Sequence, residues 1–89
     1  MGENLNIVVY TLEICPNCEL LKTFIKANGF EYSELDLSDP VNMTELRLNN
    51  VFVREAPVLQ VGDTFLTSAE IFKEGSVDVD VVLPLIKGD

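Results

Sequence analysis

The sequence predicts an α/β fold, a four-stranded mixed sheet flanked by helices. Three observations carry that expectation. The run Ile7-Val8-Val9-Tyr10 is apolar on both faces, as an interior strand of a parallel or mixed sheet must be. Strand-like runs alternate with segments whose apolar residues recur at helical spacing. Two later strand runs are separated only by Gly62-Asp63, which marks a tight hairpin.

The first strand is expected from Leu5 to Thr11. From Pro16 to Asn28 the apolar residues Leu20, Leu21, Phe24, Ile25 and Ala27 follow a helical period, with Lys22, Thr23 and Lys26 between them. Asn28-Gly29 tolerates left-handed dihedrals and stops that helix. Phe30 to Asp36 reads as a second strand, and its mixed polarity places it nearer a sheet edge. Ser38-Asp39-Pro40 joins an oxygen-bearing cap to a proline at the first helical position, and Val41, Met43, Leu46, Arg47 and Asn50 carry the second helix on.

Pro57 to Val61 and Thr64 to Leu66 form the hairpin, whose leading glycine suits a type II′ turn. Thr67-Ser68-Ala69-Glu70 has capping-box spacing and opens a short helix through Ile71 and Phe72, ending near Gly75. The last segment carries two signals. Val77 to Val81 alternates like a strand, whereas Val81, Val82, Leu85 and Ile86 share a helix face, and Pro84 weakens either choice. A helix capped by Ser76 is the preferred reading. The element order is therefore β-α-β-α-β-β-α, followed by a further helix.

A chain of 89 residues, 47% apolar, forms one domain over residues 1–89, without repeats or linkers. No apolar run approaches a membrane span, and Met1-Gly2-Glu3-Asn4 does not open a signal peptide. Gly2 lacks the Ser or Thr that myristoylation needs at position six, where Asn6 stands. A net charge of −9, from six basic and fifteen acidic residues, disfavours nucleic acid and anionic membranes. It serves solubility, and it also suits partners with basic rims.

The most specific chemical signal is Cys15-Pro16-Asn17-Cys18, placed where the first strand gives way to the first helix. Its thiols are the only cysteines of the chain. Two thiols at that spacing can close into a small disulfide and reopen. Cys15 is the expected nucleophile, because unpaired N–H groups and the positive helix end favour a thiolate there. Pro16 stiffens the first turn without removing a needed donor. Cys18, one turn on and less exposed, is the expected resolving thiol.

Glu13 and Glu19 flank the pair and oppose the thiolate, which points to a reductant. Tyr10 and Thr11 support the motif from the first strand. Zinc would need ligands that this chain lacks, having no histidine, so a metal or iron–sulfur cluster would require a dimer sharing two motifs. A purely structural disulfide would close too short a loop to gain much. No cofactor beyond the Cys15–Cys18 disulfide is expected. Two cysteines used for catalysis suit a cytoplasmic protein.

The element order, the Cys-Pro-x-Cys after the first strand and the proline opening the third strand together resemble the glutaredoxin branch of the thioredoxin fold. The resemblance runs from about Leu5 to Phe72. Thioredoxin itself is a poorer match, since its Trp-Cys-Gly-Pro-Cys has no counterpart in a chain without tryptophan. The chain also resembles the short glutaredoxin-like redoxins, some of which, including the type that reduces ribonucleotide reductase, have glutaredoxin shape but do not depend on glutathione. The resemblance implies a cis peptide bond before Pro57, with the Ala56 backbone pairing with an extended substrate beside Cys15.

The family's glutathione site uses a basic residue before the first cysteine, an aromatic or similar residue within the motif, the backbone beside the cis-proline, and a Gly-Gly-x-Asp turn. Here Glu13, Asn17 and Thr67-Ser68-Ala69-Glu70 stand in those neighbourhoods, although Ser68 and Glu70 can still meet an α-amino group. An acidic rim repels the two carboxylates of glutathione. The sequence reading is thus a monomeric dithiol electron carrier that reduces protein disulfides and is itself reduced by a reductase protein. The Trp-Ser-Gly-Phe-Arg-Pro signature of the ribonucleotide-reductase redoxins is absent. The alternatives are a glutathione-dependent glutaredoxin and a dimeric metal or iron–sulfur module.

Overall fold

Because its apolar residues face both ways, strand β1 (Ile7–Thr11) lies at the centre of the molecule. The structure, a computed structural model, describes residues 6–88. Leu5 and the N-terminal residues read for targeting signals lie outside the described residues. β1 pairs in parallel with β2 (Ser33–Asp36) and antiparallel with β3 (Val58–Val61), which pairs antiparallel with β4 (Thr64–Leu66). The sheet order is β2-β1-β3-β4, so β2 occupies an edge, as its polarity foretold.

Alternation along the two inner strands divides the core into two layers. Ile7 and Val9 of β1, with Leu59 and Val61 of β3, meet Leu21 and Ile25 of α1 (Pro16–Ala27), Ile71 of α3 (Ser68–Ile71), and Val82 and Ile86 of α4 (Val79–Lys87). On the other face Tyr10 and Val58 meet Leu37, Val51 and Leu46 of α2 (Pro40–Leu48). A fully buried Leu or Ile contributes about 1.5–3 kcal/mol. Leu21 and Ile25, both at 0% exposure, therefore hold α1 on the sheet and fix the place of its N-terminus.

Asp39 caps α2 by accepting from Val41 N–H at 2.8 Å, with Pro40 at the first position. That helix ends at Leu48 rather than reaching Asn50. Asn50 turns left-handed at φ 64°, and Val51 N–H folds back to Leu46 O at 2.8 Å. β2 starts at Ser33, three residues later than expected, because Phe30 and Tyr32 pack into the α1 layer instead of pairing. Gly62 has φ 58°, whereas Asp63 is not left-handed, the pattern of a type II′ turn.

The largest departures follow β4. Helix α3 ends at Ile71, and Phe72 is extended. β5 (Phe72–Lys73) and β6 (Ser76–Val77) then form a small hairpin where a longer helix was expected. Its two turn residues, Glu74 at φ 53° and Gly75 at φ 82°, are both left-handed, which a helix cannot accommodate. Ser76 consequently lies in a strand, and Asp78 takes the cap position of α4. Of the alternating run only Val77 is in a strand, Val79 to Val81 belong to the preferred helix, and α4 accommodates Pro84 within it. Among the described residues no helix is long and apolar enough to cross a membrane.

Candidate active site

α1 begins at Pro16 because Cys15 leaves the helical region at φ −152° and ψ 90°. Cys15 then acts as the cap. Its Sγ accepts from Cys18 N–H at 3.1 Å, and its carbonyl accepts from Glu19 N–H at 3.3 Å. Pro16 and Asn17 occupy the first two helical positions, both exposed. One turn of helix brings the Cys15 and Cys18 Cα atoms to 5.2 Å, and a disulfide joins them. The two cysteines differ in access: Cys15 is half-buried, whereas Cys18 is 1% exposed. Ile14, just before them, is 90% exposed.

Beside the motif runs a polar cleft of about 370 Å³, lined by residues including Thr11, Glu13, Glu19, Lys22, Glu34 and Asp36. Lys22 Nζ lies 2.8 Å from Glu19 Oε2 and 3.3 Å from Glu34 Oε2. The buried Thr11 hydroxyl donates to the same Glu34 oxygen at 2.9 Å. That hydrogen bond is the main reason the Glu34 carboxyl sits below its usual range, with Lys22 adding to it. The Lys22 ammonium is raised, first by its bond to Glu19. Asp36 is lowered by the Ser38 hydroxyl and backbone N–H. Glu19, expected to flank the dithiol and oppose its thiolate, is therefore paired with a cation.

The Ala56–Pro57 peptide bond is cis, and Pro57 is buried immediately before β3. Just upstream, Val53, Arg54 and Glu55 form a second cleft with Thr67, Ser68 and Ala69, about 280 Å³ in volume. Thr67 and Ser68 are thus brought against the segment that leads into Pro57. Glu70 is not part of that lining. Its Oε1 turns back to accept from the Thr67 N–H at 2.8 Å and the Thr67 hydroxyl at 3.1 Å. Among the described residues, no group of three or more His, Cys, Asp or Glu is placed to hold a metal ion.

Sequence reasoning missed Arg54, Lys22 and Glu34. The Glu19–Lys22 pair was open to it, since residues three apart on a helix are neighbours. Glu34 was not, because its place beside Thr11 depends on the register of β1 against β2.

A disulfide between one half-buried and one buried cysteine thus sits at the start of a helix laid on a four-stranded mixed sheet. That places the protein among the thioredoxin-fold thiol–disulfide oxidoreductases. The family model for glutaredoxin matches residues 7–66, and the chain belongs to the glutaredoxin family. It is similar to an N-acetyl-S-hydroxy-L-cysteine reductase of Bacillus subtilis (strain 168), at 29% identity over 62 residues covering 70% of this chain and 67% of that protein. No solved structure matches it significantly.

Proposed function

We propose that this protein is a monomeric, cytoplasmic dithiol carrier that reduces disulfides of partner proteins and is itself reduced by a reductase protein. The Cys15 thiolate attacks one sulfur of the partner disulfide, whose S–S bond breaks and whose departing sulfur takes a proton. Cys18, as thiolate, then attacks the Cys15 sulfur, forms the Cys15–Cys18 disulfide and releases the second partner thiol. Two electrons and two protons pass to the partner, and the reductase returns them. The observation that carries this reading is the contrast between a half-buried Cys15 and a buried Cys18 in one disulfide at the start of α1. Pro16 and Asn17 shape the turn, and Ala56 and Pro57 seat the substrate.

Glutathione is the weaker donor in this reading. Glu13, Asn17 and the Thr67–Glu70 turn supply neither the basic residue nor the glycine pair of a glutathione site. Ribonucleotide reductase is one candidate client, on resemblance alone. Glu13 still stands beside the motif although Lys22 holds Glu19, so the expected reduction potential lies nearer thioredoxin, about −270 mV, than protein disulfide isomerase, about −180 mV. The deciding experiment follows disulfide reduction with insulin as the protein substrate. One arm supplies NADPH and a thioredoxin reductase, the other glutathione with glutathione reductase. Turnover in the first arm alone supports the proposal, and faster turnover with glutathione refutes it.

A second reading has its own support. The Bacillus subtilis relative is named for a small S-hydroxy-cysteine derivative, and Arg54 puts a cation in the cleft before Ala56–Pro57. A sulfenic acid reacting with the dithiol would give a thiol, water and the Cys15–Cys18 disulfide. Arg54 would receive the carboxylate of such a molecule. Consumption of that substrate, lost in Arg54→Gln while insulin reduction persists, separates this reading from the first.

A further inference from the structure

We propose that Lys22 is a positioning residue for the dithiol: by holding Glu19 and Glu34, it cancels carboxylate charge that would otherwise oppose a thiolate at Cys15. The inference rests on the reading of Cys15 as the attacking thiol. Lys22 lies four residues beyond Cys18 on α1, with its side chain 16% exposed, and reaches both carboxylates through one nitrogen. Glu19 belongs to the first turn of the helix, four residues from Cys15. A negative charge there repels a neighbouring thiolate, whatever it contributes to the helix dipole.

The geometry is anchored from three elements. Thr11, the last residue of β1, donates to Glu34, so the acceptor that holds Lys22 is itself fixed to the strand leading into the motif. Lys22 cannot follow Glu19 toward the helix start without leaving Glu34. The Glu19 carboxylate is thus held 2.8 Å from the Lys22 ammonium. Other charges in the neighbourhood are Glu13 from the loop before the motif, Asp36 from β2, and Lys26 from α1, whose charge also reaches Glu34. Arg54 and Glu55 precede the cis-proline and line the separate cleft. Asp36 is engaged by Ser38, which leaves Lys22 as the cation bound to the two carboxylates.

The test reads one thiol rather than turnover. In a Cys18→Ser background, thiolate absorbance near 240 nm is followed against pH, together with the iodoacetamide alkylation rate at pH 7. Lys22→Gln should raise the Cys15 pKa and slow alkylation about twofold, the size of one unit charge acting through water from two helical turns away, about 10 Å. Lys22→Arg should stay near the parent, and added salt should shrink the difference.

Glu19→Gln breaks the same ion pair but removes the negative charge, so it should shift the thiol the opposite way. A merely structural pair predicts the same direction for both variants. Shifts of one sign, or no shift in either, overturn the proposal. If Lys22→Gln does not fold, Glu19→Gln decides alone, and an unchanged or raised Cys15 pKa overturns it. Failure of the dithiol reading would look different, as wild-type protein unable to cycle its Cys15–Cys18 disulfide.

Discussion

The backbone N–H of Cys18 points at the sulfur of Cys15 from 3.1 Å, so the second cysteine serves the first before it ever exchanges with it. A donor in that position would favour the charged form of Cys15, the proposed attacking sulfur, once the disulfide is open. Cys18→Ser keeps this backbone donor and loses only the resolving thiol. The expected outcome is a stable mixed disulfide through Cys15 that runs as a single conjugate on non-reducing gels and by mass. Cys15→Ser should form no such conjugate, since its remaining thiol is buried. Equal trapping by both variants would contradict the assigned roles.

Tyr10 ties β1 to β3 on the α2 face of the sheet, donating to Gln60 Oε1 at 2.7 Å. Burial, and then the charge of Glu45, raise its phenol above the ordinary value of 10.0. A raised folded value means the fold prefers the neutral form. That stability is complete below the unfolded value, near pH 10, and is lost as pH rises through the folded one. Lys22 is raised as well, so the informative quantity is a difference between proteins. Tyr10→Phe should cost about 1 kcal/mol at pH 7 for the lost hydrogen bond. Urea unfolding between pH 8 and 11 should show a shallower alkaline decline for the variant, and parallel declines would contradict the prediction.

Glu34 has the opposite sign. Its carboxyl is lowered chiefly by the Thr11 hydroxyl, so its contribution is present above about pH 4.5 and fades as pH falls through the folded value. Thr11→Val removes that donor while keeping the shape of the side chain. The expected loss at pH 7 is about half a kcal/mol, at the low end for a hydrogen bond because Glu34 is partly exposed to solvent. Once pH has fallen through that folded value, the two proteins should converge in urea titrations. A gap that persists in acid would assign the loss to packing instead.

What could be read from the chain alone was mostly local. Asp39-Pro40 caps α2 and Cys15 caps α1, each through a bond within three residues of itself, and Gly62 turns the hairpin through its own positive φ. The dithiol and the cis bond before Pro57 were legible for the same reason, as short motifs in a recognisable order. What escaped depends on distant partners. Phe30 and Tyr32 have strand character but are drawn into the α1 layer, which delays β2 to Ser33. The Lys22–Glu34–Thr11 chain exists only once β1 and β2 are in register. The β5–β6 hairpin escaped because its first turn residue is glutamate, whose side chain gives no sign of a left-handed backbone.

That glutamate supplies a stability prediction. In a two-residue turn with both positions left-handed, asparagine followed by glycine is the favoured pair, because asparagine tolerates positive φ better than other side chains. Glu74 holds φ 53° without that advantage, and it is exposed. Glu74→Asn should therefore stabilise the protein by about 0.5–1 kcal/mol, read as a higher midpoint in urea with an unchanged slope. Gly75→Ala should act in reverse. A methyl group at Gly75 would meet nothing within 4 Å, so its cost comes from the φ of +82° alone and should be at least about 1 kcal/mol. Because β6 packs on α1, loss of the turn should also loosen the helix that carries Cys15 and Cys18, seen as faster amide exchange along α1. If Glu74→Asn lowers the midpoint, residues 74–75 do not form this turn in solution.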